Sequence, residues 1–218
     1  VPGYAGKIES QNQIESIVEQ IEYPVIVKAS AGGGGRGMRV VNKRDELWDS
    51  IIGAQNEAKV AFGNDEVFIE KYLKKPRHIE VQIFGDGKGK AVHLYSRECS
   101  LQRKYQKIVE EAPAKNLNQE KLSEIQNICV AACSELKYKG AGTLEFLYEE
   151  NEFYFIEMNT RIQVEHTVTE MITGVDLVQA QLLLALEDKF HLDQEKLKIN
   201  GHAMQCRINA EDPETFIP

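Results

Sequence analysis

A glycine-rich run lies between two strand-like segments, and its composition is suited to holding phosphate groups. Gly32, Gly34 and Gly37 fit the pattern G-x-G-x-x-G, but a dinucleotide-binding motif needs a helix after the third glycine, and a strand-like run follows here. A P-loop is excluded because Met-Arg, and not Lys-Ser or Lys-Thr, follows Gly37. We predict a hairpin whose backbone N–H groups, with Lys28 and Arg36, bind phosphates. The alternative is a flexible surface hairpin.

Acidic residues lie on both arms of a second hairpin, predicted over residues 142–159. Glu145 and Glu157 share a face of the sheet only if the turn has an odd number of residues or a strand contains a bulge, and Asn159 then lies on that face too. Facing carboxylates repel each other unless a cation lies between them, and hard oxygen ligands suit Mg²⁺ that bridges substrate phosphates. We therefore predict a magnesium site, with two water-facing glutamates as the alternative.

A loop dense in functional groups, with Arg161, Gln163, Glu165 and His166, follows directly. The guanidinium of Arg161 can hold a planar carboxylate or bicarbonate through two parallel hydrogen bonds, and Glu165 is placed to take a proton nearby. A separate basic cluster is predicted either to line an anion pocket or to form a solvated face; it comprises Arg97, Arg103, Lys104 and Lys107. Spacing alone does not name the reaction.

The elements that must position these groups follow a mixed α+β pattern. Strands are predicted at 25–29, 38–41, 66–73, 77–83 and 91–95, with the alternating segment 78–83 half-buried. Helices are predicted over 14–21 and 45–62 and after the capping residues Asn118 and Asp176. The predicted buried stripes contain Leu47, Trp48, Ile51, Ile52, Ala58 and Phe62 in the second helix, Leu122, Ile125, Cys129, Ala132 and Leu136 in the third, and Leu182, Leu183 and Leu186 in the fourth.

Composition narrows the class of protein. The 218 residues carry a formal charge of −8, which argues against a nucleic-acid partner. No apolar stretch approaches the roughly 18 to 20 residues of a membrane helix, so we expect a cytoplasmic protein with no membrane contact. The four cysteines lack C-x-x-C spacing and are predicted to be free thiols. The start at Val1 and the end at Pro218 suggest a piece of a longer polypeptide.

Several segments together resemble the biotin carboxylase family, the ATP-grasp component of biotin-dependent carboxylases such as acetyl-CoA carboxylase of fatty acid biosynthesis. They are residues 28–37, 70–73, 77–78, 106–107, 110–113, 157–166 and 206–213. Many ATP-grasp ligases share the glycine run and the Glu-x-Asn pair, whereas Arg-Ile-Gln-Val-Glu-His at 161–166 is particular to biotin-dependent carboxylases. The resemblance implies an α+β ATP-grasp fold, with a small glycine-loop lid lobe at 1–73 and the first part of a larger antiparallel-sheet lobe at 74–218.

The resemblance also implies roles for individual residues. Nucleotide contacts are expected from Lys28, Gly33, Gly34, Gly35, Gly37, Glu70, Lys71, Tyr72, Leu73, His78 and Gln102. Magnesium, or manganese in its place, is expected at Glu145, Glu157 and Asn159, and bicarbonate at Lys107, Arg161, Gln163 and Val164. Glu165 is expected to be the general base, while Arg161 and Arg207 stabilise developing anions. Tyr105 stands where the family usually has histidine, so we expect no nucleotide contact there.

The implied reaction joins MgATP and bicarbonate into carboxyphosphate, which then carboxylates a ureido nitrogen of biotin. The implied partners are a biotin carboxyl carrier protein or domain and a carboxyltransferase, and the intact protein is expected to be a homodimer. The family also has an N-terminal Rossmann-like domain and further C-terminal residues, so we expect little turnover from this chain alone. The alternatives are an ATP-grasp ligase of another class, such as a carbamoyl-phosphate-forming enzyme, and a regulatory nucleotide-binding module.

Overall fold

Two antiparallel sheets, one in each of two units, organise the chain. A computed structural model describes residues 1–4, 6, 8, 10, 14, 18, 21–31 and 38–215. The chain divides into units Val1–Lys75 and Pro76–Pro218, whereas the sequence predicted a boundary after Leu73. The central glycines of the predicted phosphate hairpin, residues 32–37, lie outside the described residues.

The N-terminal unit contains a four-stranded sheet in the order β1-β4-β2-β3. Its strands are β1 (Gly3–Tyr4), β2 (Val25–Ala29), β3 (Met38–Val41) and β4 (Val67–Lys71). Strands β2 and β3, which flank the glycine run, pair antiparallel from Val25↔Val41 to Lys28↔Met38. This pairing is the one that a hairpin over residues 29–38 requires.

Helix α1 (Leu47–Phe62) covers this sheet, after a single 3₁₀ turn at Arg44–Glu46. Its buried residues are Leu47, Ile51, Ala54 and Ala58, which lie on one face at helical spacing. The prediction that Ile52 belongs to this face is wrong, because Ile52 lies about 100° around the helix from Ile51 and is 39% exposed. Before β2, the helical residues Ile14, Val18 and Ile21 pack into the same core, as predicted.

The C-terminal unit contains a six-stranded sheet in the order β10-β7-β6-β5-β8-β9. The strands are β5 (Arg77–Asp86), β6 (Ala91–Arg103), β7 (Gln106–Ala112), β8 (Lys139–Glu149), β9 (Glu152–Asn159) and β10 (Ala203–Cys206). The helices are α2 (Gln119–Glu135), α3 (His166–Thr173) and α4 (Leu177–Glu187). Every pairing in this sheet is antiparallel, which agrees with the predicted α+β class.

Strand β5 was predicted to be half-buried, and this is wrong. Residues Ile79 through Phe84 are all buried, because β5 lies inside the sheet and elements cover both of its faces. Val81 and Ile83 pack against Cys129 and Cys133 of α2 on one side. On the other side Phe84 packs against α4, next to the polar but equally buried Glu80 and Gln82.

Helix α2 begins at the predicted cap, where the Asn118 side chain accepts a hydrogen bond of 3.1 Å from the Lys121 N–H. Cys129 is buried on its core face, as predicted, and Cys133 is buried beside it. Leu136, predicted on the buried stripe, occupies the C-cap position and is 71% exposed. The stripe therefore ends one turn earlier than the sequence pattern indicates.

Helix α4 also begins as predicted, with the Asp176 side chain accepting from the Gln179 N–H at 2.7 Å. Leu177 and Leu184, seven residues apart, supply its buried face. The predicted burial of Leu182 and Leu186 is wrong, since both are exposed. A helix rich in leucine on all sides offers no apolar stripe from which its buried face can be read.

Among the described residues, no single helix is long and apolar enough to cross a membrane. Helices α3 and α4 reach the necessary length and hydropathy only when they are taken together, and the chain bends by 91° between them. The four cysteines are free thiols, as predicted. Three of them are buried, and Cys206 is exposed.

Candidate active site

The pairing register places a row of charged residues across four adjacent strands of the C-terminal sheet. Arg97 of β6 lies opposite Glu80 of β5, Glu80 opposite Glu145 of β8, and Glu145 opposite Glu157 of β9. Residues directly opposite each other project from the same face of a sheet. These four side chains therefore lie side by side on one face.

A β-bulge brings Glu145 and Glu157 together. The turn between β8 and β9 has two residues, Glu150 and Asn151, both with positive φ. A two-residue turn alone would place Ile156 opposite Glu145, but the register shifts between Glu145 and Phe146. The bulge that the sequence required for a shared face is thus present.

Lys107 is the centre of the charge network. Its Nζ lies 2.6 Å from Glu80 Oε2, 2.8 Å from Glu145 Oε1 and 2.7 Å from Glu165 Oε1. Only 12% of the Lys107 side chain is exposed. A single ammonium group therefore joins carboxylates from β5, β8 and the start of α3.

The network shifts the pKa values of its members. Burial alone would raise the pKa of Glu145, but His78 and Lys107 outweigh it and hold this pKa well below its usual range. Burial likewise raises the pKa of Glu80, and Arg97 and Lys107 reverse the shift to a lower value. The pKa of Lys107 lies well above its ordinary value because the surrounding carboxylates, Glu80 foremost, outweigh burial. All three groups are charged at neutral pH.

His78 joins the network at its edge, and its neighbours identify the tautomer. Its Nδ1 lies 3.1 Å from Nε2 of Gln102, which can only donate, so Nδ1 accepts and Nε2 carries the proton. That Nε2 lies 3.0 Å from Glu145 Oε2. Gln102 also donates to the Cys99 carbonyl oxygen at 2.8 Å, which holds its amide in place.

The loop after β9 places four of its side chains at the cleft, Arg161, Gln163, Val164 and Glu165, and one in the core. Ile162 packs into the core with α4, while Arg161 and Val164 are exposed and Gln163 is buried. Glu165 occupies the N-cap position of α3, yet its side chain caps no helical N–H. Its carboxylate is bound instead by Lys107 and, through Oε2 at 3.0 Å, by Arg207.

Arg207 links the network to the edge strand β10. Its Nε donates to Glu110 Oε1 at 2.7 Å and its Nη2 to Glu165 Oε2 at 3.0 Å. Its backbone N–H also binds the carbonyl oxygen of Ile108. Glu110 is fully buried, and burial raises its pKa more than Arg207 lowers it.

These groups border a cleft of about 510 Å³, formed within the C-terminal unit. Tyr105, at the rim, is 67% exposed. The lining contains all eleven residues predicted for the site in this unit, together with five others: His78, Gln102, Arg103, Tyr105, Gln106, Lys107, Ile108, Glu145, Glu157, Asn159, Arg161, Gln163, Val164, Glu165, Arg207 and Asn209.

Several important residues escaped the sequence predictions. Glu80 and Gln82 alternate with apolar residues and so resemble a solvent face, while Glu110 lies in the matching segment 110–113 but was given no role. Arg97 was predicted, with the rest of the basic cluster, to line an anion pocket or to lie on a solvated face, but it is fully buried and does not line the cleft. The basic cluster divides in the structure: Lys107 and Arg103 line the cleft, while Lys104 is exposed, so neither predicted alternative describes the whole cluster.

The predicted nucleotide-binding residues of the N-terminal unit lie on and beside its sheet. Lys28 Nζ donates to Glu70 Oε2 at 2.5 Å, so the β2 lysine and the β4 glutamate form an ion pair. Lys71 belongs to β4, the Tyr72 N–H binds the Pro24 carbonyl oxygen, and Leu73 is buried. Gly33, Gly34, Gly35 and Gly37 lie outside the described residues.

The donor set on the cleft face fits a hard divalent cation. Glu145 and Glu157 are directly opposed, and Asn159 follows Glu157 on the same face, opposite Thr143. Asn159 donates from Nδ2 to Glu145 Oε1 at 2.8 Å, so this bond does not use its carbonyl oxygen. Carboxylate and amide oxygens are the ligands that Mg²⁺ and Mn²⁺ prefer.

Comparison with known proteins gives a consistent family assignment. The family model described as carbamoyl-phosphate synthase L chain, ATP binding domain, matches residues 1–193. The biotin carboxylase of Haemophilus influenzae is 57% identical over 219 residues, covering 100% of this chain and 49% of the relative. The chain thus spans about half the length of the curated relatives it matches.

Solved structures agree with the sequence comparison. A biotin carboxylase from Campylobacter jejuni in a β-γ-ATP complex superposes with a TM-score of 0.89 at 45% identity, covering 100% of this chain and 49% of that one. The biotin carboxylase domain of Hydrogenobacter thermophilus 2-oxoglutarate carboxylase, solved with MgADP, ADP and bicarbonate, gives 0.88 at 47% identity, with coverage of 100% and 49%. The predicted resemblance and the predicted ATP-grasp α+β fold are confirmed, and the chain belongs to the carbamoyl-phosphate synthase L chain ATP-binding domain family, within which its similarity is to the biotin carboxylases.

Proposed function

We propose that the protein carrying this chain is a biotin carboxylase, which uses MgATP and bicarbonate to carboxylate biotin through carboxyphosphate. The observation that supports this most directly is the convergence of Lys107, Arg161 and Arg207 with the carboxylate of Glu165 around one cleft. Three cationic side chains suit two small anions, bicarbonate and the transferring phosphoryl group. A carboxylate among them suits proton removal.

Glu165 is proposed as the general base. Each of its oxygens is bound by a different cation, Oε1 by Lys107 and Oε2 by Arg207, which fixes the carboxylate in one orientation. Once bicarbonate is bound beside it, Glu165 takes the hydroxyl proton while a bicarbonate oxygen attacks the γ-phosphorus and the bond to the ADP oxygen breaks. Lys107 and Arg161 stabilise the negative charge on the reacting oxygens.

Magnesium or manganese is proposed at Glu145, Glu157 and Asn159, where it would neutralise phosphate charge. His78 and Gln102, which hold each other at the edge of the same cleft, are proposed nucleotide contacts. In the N-terminal unit, which we propose is the lid lobe, Lys28, residues 70–73 and the glycine run are proposed to contact the phosphates and adenine. Gln163 and Val164 are proposed to bind bicarbonate beside Arg161.

Carrier and transferase partners complete the proposal. Carboxylated biotin is proposed to remain on a biotin carboxyl carrier protein or domain and to serve a separate carboxyltransferase, which selects the acceptor. The intact protein is proposed to be a homodimer in the cytoplasm. The four free thiols agree with a reducing compartment.

A carbamoyl-phosphate-forming enzyme is the second candidate, because the matching family model carries that description. Both reactions activate bicarbonate with ATP. The sequence Gln163-Val164-Glu165-His166 favours the carboxylase, and so do the matches to biotin carboxylases over the whole of this chain. A purely regulatory nucleotide-binding module would not need an Arg161 and a Glu165 beside the same cleft.

The test is phosphate release from MgATP by the full-length protein, with and without bicarbonate and free biotin. We expect release to require bicarbonate, to rise with biotin, and to fall about 10²-fold or more in Glu165→Gln, the loss typical of a removed general base. Glu187→Gln, an exposed glutamate at the end of α4, serves as the matched control and retains activity. Release that ignores biotin but requires ammonia or glutamine would favour carbamoyl phosphate formation. ATP binding without release would favour the regulatory module.

A further inference from the structure

We propose that Arg97 is a positioning residue that fixes which way the side-chain amide of Gln163 faces, and so directs the Gln163 NH₂ group toward the anion site of the cleft. This inference rests on the proposed function of the cleft. It gives a role to Arg97, a buried cation that does not line the cleft where the proposed substrates bind.

The two neighbours of the Gln163 amide leave it one orientation. Arg97 Nη2 lies 3.3 Å from Gln163 Oε1, and Gln163 Nε2 lies 2.8 Å from Glu145 Oε1. A guanidinium can only donate hydrogen bonds and an ionised carboxylate can only accept them. A flipped amide would set two donors against each other on one side and two acceptors on the other.

Arg97 is itself rigidly held. Its side chain is fully buried, and each of its N–H groups has an acceptor. Nε donates to Glu80 Oε1 at 2.5 Å, and Nη1 donates to Gln82 at 2.6 Å and to Thr169 at 2.9 Å. Nη2 donates to Thr143 at 3.2 Å and to Gln163. A guanidinium with five donors and five acceptors has no alternative position of similar energy.

Of the two groups that orient Gln163, Arg97 is the one that bound substrates leave in place. Glu145 belongs to the proposed magnesium set, so a metal ion there competes with Gln163 for its oxygen. Arg97 lies behind the cleft and keeps its bond to Gln163 Oε1. Without Arg97, the amide is free to present its carbonyl oxygen to bicarbonate, and the two oxygens repel each other.

A purely structural role for Arg97 makes different predictions, because loss of a buried ion pair would weaken the whole sheet. We therefore compare Arg97→Lys, which keeps the positive charge beside Glu80, with Gln163→Met and with the double variant, all in the full-length protein. If Arg97 acts through Gln163, each single variant raises the KM for bicarbonate about tenfold, as expected for one lost hydrogen bond to a charged ligand. The KM for ATP changes less than twofold, and the double variant is no worse than Gln163→Met alone. Additive losses, or equal changes in both KM values, would overturn the proposal.

A second readout does not depend on activity. In protein labelled with ¹⁵N-glutamine, the Gln163 side-chain amide is assigned by its disappearance in Gln163→Met, and its hydrogen exchange is measured. We expect exchange about tenfold faster in Arg97→Lys. Should that variant fail to fold, Thr143→Val removes the second acceptor of Nη2 and is expected to accelerate exchange about threefold, whereas Thr169→Val, which removes an acceptor of Nη1, leaves it unchanged. Unchanged exchange in both Arg97→Lys and Thr143→Val refutes the positioning role, whether or not the wild-type protein proves to be a carboxylase.

Discussion

Replacing Lys107 with methionine removes the ammonium group from the centre of the charge network while keeping the length and flexibility of the side chain. The three carboxylates that Lys107 joins are not affected equally. Glu80 keeps Arg97, and Glu165 keeps Arg207. Glu145 is left with neutral donors and the imidazole of His78, although its side chain is only 7% exposed.

The size of the destabilisation follows from how many of the three carboxylates keep a cationic partner. Removing one partner of a buried ion pair destabilises a protein by about 3 to 5 kcal/mol, because a charge remains buried without compensation. Since two of the three carboxylates retain a cation, we expect the low end, about 3 kcal/mol, for opening of β5 and β8. Glu145→Gln in the Lys107→Met background removes the uncompensated charge, so it should restore about half of the loss.

The destabilisation depends on pH with a definite sign. In the wild type the pKa of Glu145 is lowered, so this group contributes stability above its ordinary pKa of 4.5, and that stability is lost as pH falls. In Lys107→Met the ammonium group is gone, so burial is opposed mainly by His78 and the pKa of Glu145 rises from its lowered value. The deficit is therefore largest at neutral and higher pH and shrinks as pH falls, because the Glu145 carboxyl group becomes protonated and neutral at a higher pH in the variant than in the wild type.

Hydrogen exchange of backbone amides, read by mass spectrometry on peptides from β5 and β8, measures local opening in the full-length protein. Lys104→Met is the matched control, since Lys104 lies on the adjoining turn and is exposed; we expect it to change stability by less than about 0.5 kcal/mol. Equal exchange in Lys107→Met and Lys104→Met would refute the reasoning. A deficit that does not vary with pH would contradict the role given to Glu145.

Three further outcomes test other parts of the site. Glu110→Gln weakens the hydrogen bond that holds Arg207, so it should raise the KM for biotin about tenfold with little change in the KM for ATP. The control Glu111→Gln changes the half-buried neighbouring residue and should alter neither KM. Steady-state kinetics measure both constants. Glu157→Gln removes one proposed metal ligand and should weaken Mn²⁺ binding about tenfold, as measured by electron paramagnetic resonance, and unaltered binding would remove Glu157 from the site. Alkylation mapped by mass spectrometry should modify Cys206 in the native protein, while the three buried cysteines react only after unfolding.

Patterns of neighbouring residues correctly predicted much of the fold. The strands on either side of the glycine run, the helix caps at Asn118 and Asp176, and the hairpin with Glu145 and Glu157 are all present. Each of these features depends on residues close together in the sequence, whose backbone preferences and hydrogen bonds act within a few positions. For that reason a pattern of neighbouring residues was enough to predict them.

Errors arose where the outcome depends on distant segments. Leu182 and Leu186 look like core residues, yet only one side of α4 meets the sheet. Glu80 and Gln82 look like a solvent face, yet both are fully buried and accept hydrogen bonds from Arg97. Alternation of polar and apolar residues along a strand shows which residues share a face. It does not show whether the polar face contacts water or a buried arginine.

The sequence by itself determined the chemical groups, the order of the elements and, through the motif at residues 161–166, the family. Only the tertiary structure decided how those groups meet: the bulge sets Glu157 opposite Glu145, and two strands and a helix start that are far apart in the chain bring Glu80, Lys107 and Glu165 together. The physical reason is the separation in sequence between the interacting residues. Backbone conformation depends on adjacent residues, whereas burial and charge pairing depend on which distant segments pack together.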